Sequence, residues 1–181
     1  GVEADPRLVD SARRFASQAG VGSLARFAIG AWRDTALDGF EAIALHLDEA
    51  ANRALQPSLL ALRPGVRIVS HGSLLGDWSP DARIVVDAHP ALAGVRMATT
   101  LHAWTVPALV GGRHAAPGFE AQLDQQYQYV RGGWIRDRGR EVAISHGRIA
   151  GSEFWLTGQD ELGAPVGIHG YVDGFSTARP W

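Results

Sequence analysis

The acid with the clearest chemical role is Glu3, which follows an apolar residue and precedes the turn Asp5-Pro6. A helical apolar pattern begins directly after that turn, so Glu3 lies where a strand ends and a helix begins. A carboxylate in this place can accept hydrogen bonds from both hydroxyls of a ribose. The alternative is an acid that the helix dipole favours, a role that Asp5 fits better. We therefore expect Glu3 to bind a ribose.

A second candidate region follows the next short apolar segment. Ala31 and Trp32 come directly after Gly30, where that segment ends. In a nucleotide site this corner would lie beside the base, and Trp32 could pack on its face. A half-buried Trp at the rim of a sheet explains the same pattern equally well, so both interpretations stay open.

Three polar side chains follow the next apolar segment: His46, Asp48 and Asn52. Ligands of open parallel sheets bind at the carboxyl ends of the strands, which is where these residues fall. Asp48 also has the sequence position of a helix N-cap. Capping does not exclude a role in a site, and we keep all three as candidates.

His71 follows a third apolar segment, within Ser70-His71-Gly72. An imidazole at a strand end can act as a general base or bind a substrate. An isolated His is more often structural, and that alternative also stays open.

Composition limits the other kinds of site. The chain has 181 residues, no Cys, seven His and a net charge of −2, and its 17 basic residues other than His are all Arg. The His residues show no metal-binding spacing, so we expect no metal site. The charge balance and the lack of a long apolar run predict neither a nucleic-acid partner nor a membrane partner.

The elements that must position these residues alternate between strand and helix. Short apolar strands separated by helices predict a parallel sheet with right-handed crossovers. The predicted elements are a helix over 5–20, a strand over 26–30, a strand over 41–47, a helix over 48–62 that Pro57 kinks or splits, and a strand over 66–70.

The pattern changes after about residue 80, where strands follow one another without helices. We expect an α/β core over residues 1–110 and an antiparallel β appendage over 111–181. The predicted strands of this part cover 83–86, 99–107, 119–130, 141–145, 153–156 and 166–172.

In this order, the motifs resemble class I S-adenosylmethionine-dependent methyltransferases. Residues 1–6 resemble the motif after the second strand of that family, and residues 26–31 resemble its R-F-x-x-G-D motif, with Ala31 in place of the acid. A bacterial subgroup shares the S-H-x(5)-D-W stretch seen at residues 70–78. Its β-rich tail resembles residues 125–128 and 170–174.

The resemblance implies a Rossmann-like methyltransferase sheet and transfer of a methyl group from S-adenosylmethionine. The acceptor would be a protein or a small molecule, with a protein lysine as the first choice. The tail would form a wall of the acceptor site or a homodimer contact, and the protein would be cytoplasmic. The implied site residues are Glu3 and Ala4 at the ribose, Ala31, Trp32 and His46 at the adenine and methionine, and Asp48, Asn52 and His71 at the acceptor.

The glycine-rich loop and first strand of the family have no counterpart in this sequence. That strand lies in the middle of the family's sheet, so the resemblance implies a chain that starts partway through a domain. We therefore expect the 181-residue chain to bind the cofactor weakly. Two alternatives remain: a degenerate, non-catalytic binding module, and an NAD-dependent dehydrogenase, against which the antiparallel strands argue.

Overall fold

The structure of the chain, a computed structural model, describes residues 1–87 and 98–172. The chain folds as two compact units, Gly1–Gly39 (unit 1) and Phe40–Trp181 (unit 2). The division into a core over 1–110 and an appendage over 111–181 stays a prediction. The end of the predicted tail motif, residues 173–174, lies outside the described residues.

Unit 1 contains one helix and two short parallel strands. Strand β1 (Val2–Glu3) pairs with β2 (Ala28–Ile29). Helix α1 (Pro6–Gln18) lies between them in sequence, as its apolar periodicity predicts. Its N-cap is Asp5, whose carboxylate accepts a hydrogen bond from the backbone N–H of Arg7.

Unit 1 leaves a large share of its apolar side chains exposed. Val9 and Ala16 of α1 are buried, but one helix and two short strands offer little surface to cover the rest. The exposed apolar residues of this unit include Val2, Leu8, Phe15, Leu24 and Ile29.

The first part of unit 2 is a strand–helix–strand segment followed by two antiparallel strands. Strand β3 (Ala42–Leu45) and strand β4 (Arg67–His71) are parallel, with helix α2 (Glu49–Leu60) between them in sequence. Strand β5 (Ala82–Asp87) pairs with β6 (Ala98–Thr105), which also pairs with β4, so the order is β3-β4-β6-β5.

This sheet is mixed: β3 and β4 are parallel, as the strand–helix–strand pattern predicts, and the strands after residue 80 run antiparallel to their neighbours. Strand β6 runs antiparallel to both of its neighbours, β4 and β5. Of the two effects predicted for Pro57, a split of α2 is wrong, since α2 is a single helix, and a kink stays a prediction. Pro57 lies in the last turn of α2, where the hydrogen bond that it removes is one of the final ones.

The second part of unit 2 is an antiparallel meander of six strands, which confirms the predicted change to an antiparallel pattern. The predicted strand over 119–130 is instead a hairpin, since the chain turns at Tyr127, whose φ is +54°. The strands, each paired with the next, are β7 (Gly112–Ala116), β8 (Phe119–Gln126), β9 (Tyr129–Asp137), β10 (Arg140–Ala150), β11 (Glu153–Asp160) and β12 (Pro165–Tyr171).

Two glycines in the middle of the meander allow its strands to approach closely. A side chain at Gly133 would overlap the carbonyl oxygen of Gln122 on β8, and one at Gly158 would overlap that of Ala143 on β10. Glycines at such positions are typical of sheets that coil sharply. The side chains on the enclosed face, such as Ile144, form the buried core of the meander.

A buried Trp attaches the meander to the first part of unit 2. Trp78, which is 1% exposed, donates from Nε1 to Oε1 of Gln128 at 2.9 Å. Nε2 of Gln128 donates in turn to the carbonyl of Ser79 at 2.8 Å. Nε1 of Trp104 donates to the carbonyl of Trp78 at 2.9 Å, with the two ring centroids 6.1 Å apart.

Two carboxylates extend this attachment. Asp81 accepts from the backbone N–H of Thr105 on β6 and from the guanidinium of Arg148 on β10. Asp77 accepts from the hydroxyl of Tyr127 and from Nε2 of Gln56 on α2. The hydrogen bond from Tyr127, followed by that from Gln56, holds the pKa of Asp77 below its usual value.

We predict that Gln128→Leu destabilises the protein, because it leaves the buried Nε1 of Trp78 without an acceptor. An unsatisfied buried donor costs about 1–3 kcal/mol, which urea unfolding can measure. Gln126→Leu is the matched control, since Gln126 is exposed at the end of β8. Equal stability of the two variants would show that Gln128 does not hold the meander in place.

Candidate functional site

The parallel pairing in unit 1 brings two predicted site segments to one edge. Glu3 is level with Ile29 in the register, and the N–H of Gly30 donates to the carbonyl of Glu3. Ala4 and Ala31 therefore leave the carboxyl edge of neighbouring strands. The side chain of Glu3 is exposed, and its Oε1 accepts from the N–H of Asp5 at 2.9 Å.

Trp32 lies at the start of a short 3₁₀ turn, directly after this edge. Its side chain is half-buried, as the structural interpretation of the sequence expected. The guanidinium of Arg33 lies over its ring, 4.3 Å from the centroid. This cation–π contact occupies one face of the indole, so a base that stacked on that face would have to displace Arg33.

In unit 2, parallel pairing brings His46 and His71 together. Leu45 of β3 is level with Ser70 of β4, and each His is the next residue along its strand. Their ring centroids are 4.6 Å apart in an edge-to-face arrangement, and both side chains are exposed. Nε2 of His71 lies 3.0 Å from the hydroxyl of Thr99. The two imidazoles and this hydroxyl form a polar cluster at the carboxyl edge of β3 and β4.

Asp48 lies at the start of α2 and caps it. Its Oδ1 accepts from the backbone N–H of Ala51 at 2.7 Å, which is the N-cap geometry that the sequence suggested as the alternative. The carboxyl group is exposed beside the carboxyl edge of β3. A further role for Asp48 toward a ligand stays a prediction.

Asn52 is fully buried, so it does not meet solvent beside His46 and His71. Its Nδ2 donates to the hydroxyl of Ser70 at 2.8 Å and to the carbonyl of Ser73 at 3.3 Å. Asn52 thereby ties α2 to the end of β4, next to His71, and to the loop that follows it. Its Oδ1 has no hydrogen-bond partner among the residues that the structure describes.

His102 is a buried residue that the sequence analysis did not identify. His102 on β6 is level with Ser70 on β4, so both side chains lie on the same side of the sheet. His102 is 5% exposed. Burial, reinforced by the charge of Arg83, lowers the pKa of His102, and its imidazole is therefore neutral at pH 7. The alternation of His102 with Trp104 along β6 is the signal that could have identified it as buried.

The described ranges, 1–87 and 98–172, contain no group of three or more His, Cys, Asp or Glu placed to hold a metal ion. No helix in these ranges is long and apolar enough to span a membrane.

Comparison with solved structures found a similar enzyme. It is an RNA methyltransferase from Salinibacter ruber, whose crystal structure contains S-adenosyl-L-homocysteine. The two chains share 33% sequence identity with a TM-score of 0.50, over 61% of this chain and 66% of that chain. No protein-family model matches this chain, and the comparison with curated proteins found no match. Over the matched part, the chain has a methyltransferase-like fold.

We predict that Asn52→Ala loosens the end of β4, which carries His71, and the loop after it. The loss of two hydrogen bonds, which leaves Ser70 without its buried partner, should lower the free energy of unfolding by about 1–2 kcal/mol. The NMR resonances of the His71 ring should shift as the loop relaxes. Adding Ser70→Ala should cost less than the sum of the single changes, because the two residues share a bond.

The matched control is Arg53→Ala on the same helix. Arg53 is exposed and pairs with Glu49 at the surface, so its removal should leave the His71 resonances in place. If Asn52→Ala left them unchanged as well, Asn52 would have no role in positioning His71.

Proposed function

We propose that the chain is part of an S-adenosylmethionine-dependent methyltransferase. The similarity to the Salinibacter ruber enzyme carries this proposal. S-adenosylhomocysteine, which that enzyme holds, is what remains of S-adenosylmethionine after methyl transfer. The placement of Glu3 at the carboxyl end of β1 supports it independently, because a carboxylate there suits a ribose.

The donor side of the proposal rests on the edge formed by β1 and β2. The carboxylate of Glu3 is exposed and oriented by the N–H of Asp5, which fits a group that binds ribose hydroxyls, with Ala4 beside it. Ala31 offers no side-chain acceptor to an adenine amine, so backbone groups must make that contact beside Trp32. The role of His46 at the methionine part, which the family resemblance implies, stays a prediction.

The acceptor side of the proposal rests on the cluster around His71. Methyl transfer from a sulfonium depends mainly on alignment of donor and acceptor. The exposed imidazole of His71 can accept the proton of an amine acceptor, while Thr99 fixes the orientation of its ring. Asp48 would bind the acceptor, and Asn52 would act through the loop as a positioning residue, since it is buried.

We also propose that an additional strand pairs with the open edge of β3, and that further residues cover apolar side chains of unit 1. Among the described strands, β3 is at the edge of its sheet. In unit 1, Val2 and Ile29 expose apolar surface. Strand edges and apolar surface of this kind are normally covered. The second candidate function is a non-catalytic binding module, which the absence of an acid at position 31 favours.

The first test is donor binding, measured by isothermal titration calorimetry. We predict affinity weaker than micromolar for S-adenosylmethionine on the 181-residue chain, and micromolar affinity on a version extended by the residues encoded upstream. Micromolar binding by the shorter chain would refute the proposal that donor binding requires an additional strand. No binding by the longer version would support the non-catalytic module.

On the version that binds, Glu3→Gln should weaken affinity about tenfold, equivalent to about 1.4 kcal/mol. Gln keeps the size of the side chain but loses the charge that strengthens hydrogen bonds to the ribose. Asp10→Asn, an exposed acid on α1 paired with Arg13, is the matched control and should bind normally. Equal binding by both variants would remove Glu3 from the donor site.

The second test identifies the acceptor with a labelled methyl donor. A protein lysine is our first proposal. RNA is the second, because the similar enzyme is an RNA methyltransferase. The net charge of −2 does not favour binding of a polyanion, however. We expect label in protease-sensitive rather than ribonuclease-sensitive material. His71→Ala should slow transfer by about 10²-fold or more without weakening donor binding, and an unchanged rate would exclude His71 as the base.

A further inference from the structure

The coiled face of the meander encloses a cavity of about 940 Å³. This volume is within the range of about 300–1,000 Å³ that is typical of small-molecule sites. Residues from all six strands of the meander line it, and most of their side chains are apolar. They include Phe119, Leu123, Ile135, Val142, Phe154 and Val166.

The cavity has one apolar end and one charged end. At the apolar end lie Pro64 and the buried Ala108. The other end is formed by the start of β8, the end of β9 and the start of β10. These three strand ends lie together because Asp137 pairs with Phe119 on one side and with Arg140 on the other. The charged residues that line the cavity, apart from His, all come from strand ends on this side: Asp137, Arg140, Glu141 and Asp160.

The charges at this mouth favour a cation over an anion. Three carboxylates lie there with one guanidinium. Glu141 is neutralised by Arg136, 2.5 Å away, and Asp160 accepts from two backbone N–H groups of its own turn. Asp137 is half-buried, and within the described residues it forms no ion pair. Its carboxylate is therefore the group at the mouth that a ligand cation would neutralise.

The cavity is separate from the cluster around His71. Its apolar end lies beside the amino end of β4, where the N–H of Gly65 donates to the carbonyl of Val106 and Arg67 pairs with Thr105. His46 and His71 lie at the opposite, carboxyl end of β3 and β4. A ligand in the cavity therefore does not depend on methyl transfer.

From these observations, we propose that the meander binds a small amphipathic molecule with a hydrocarbon body and a cationic head. The body lies among the apolar side chains of β8 to β12, and the head lies beside Asp137. Burial of the body provides most of the binding free energy, and Asp137 provides the preference between heads.

The test compares three probes with the same ten-carbon chain, each below its critical micelle concentration: decyltrimethylammonium, decanol and decanoate. Calorimetry on the full chain should show one saturable site for decyltrimethylammonium, with decanoate about tenfold weaker or more. Equal or tighter binding of decanoate would overturn the assignment of the head. Failure of all three probes would overturn the site.

Two variants separate the cavity from the outer surface. Ala121 is buried and lines the cavity, so Ala121→Phe should fill it and abolish binding of decyltrimethylammonium. Ala143→Phe, at an exposed position of β10, is the matched control and should bind normally. Equal binding by both variants would place the probe outside the cavity.

A third variant keeps the test decisive if Ala121→Phe does not fold. Asp137→Arg, at the mouth, should reverse the preference so that decanoate binds more tightly than decyltrimethylammonium, with decanol unchanged. An unchanged order of the probes would refute the role of Asp137. A dimer that forms with increasing protein concentration and excludes all probes would show that a second copy covers the cavity, which would also refute the proposal.

Discussion

The buried hydrogen bond between Trp78 and Gln128 is the constraint on which the rest of unit 2 depends. Nε1 of Trp78 has no contact with water, so it must find an acceptor inside the protein. That acceptor belongs to the turn between β8 and β9. The meander therefore cannot move away from the mixed sheet without exposing this donor, and the cluster of His71 and the apolar cavity stay at fixed positions on one body.

The sequence was sufficient to predict elements whose pattern is local. The 3.6-residue period of α1 and the cap at Asp48 lie within a few residues, and both appear in the structure. The hairpin at Tyr127 was missed because a non-glycine residue with positive φ leaves no local signal. The strand order β3-β4-β6-β5 could not be predicted from local patterns, because it depends on pairings between distant segments, as between Ser70 and His102.

The same distinction explains what could be predicted of the candidate site. Strand ends are readable from sequence, which predicts both His46 and His71 as site residues, and the structure brings their rings into contact. Burial is a property of the whole fold, and it changes the meaning of Asn52 from a group that touches an acceptor to one that holds a loop. His102 escaped notice for the same reason, since only the neighbouring strands make it inaccessible.

The aromatic cluster at the junction has an optical consequence. The ring centroid of Trp78 lies 6.1 Å from that of Trp104 and 6.1 Å from that of Tyr127. Chromophores held asymmetrically at that separation couple to one another, and the coupling vanishes when any ring begins to tumble. The junction is therefore an intrinsic spectroscopic reporter. Near-ultraviolet circular dichroism shows, without an added label, whether the meander is packed against the mixed sheet.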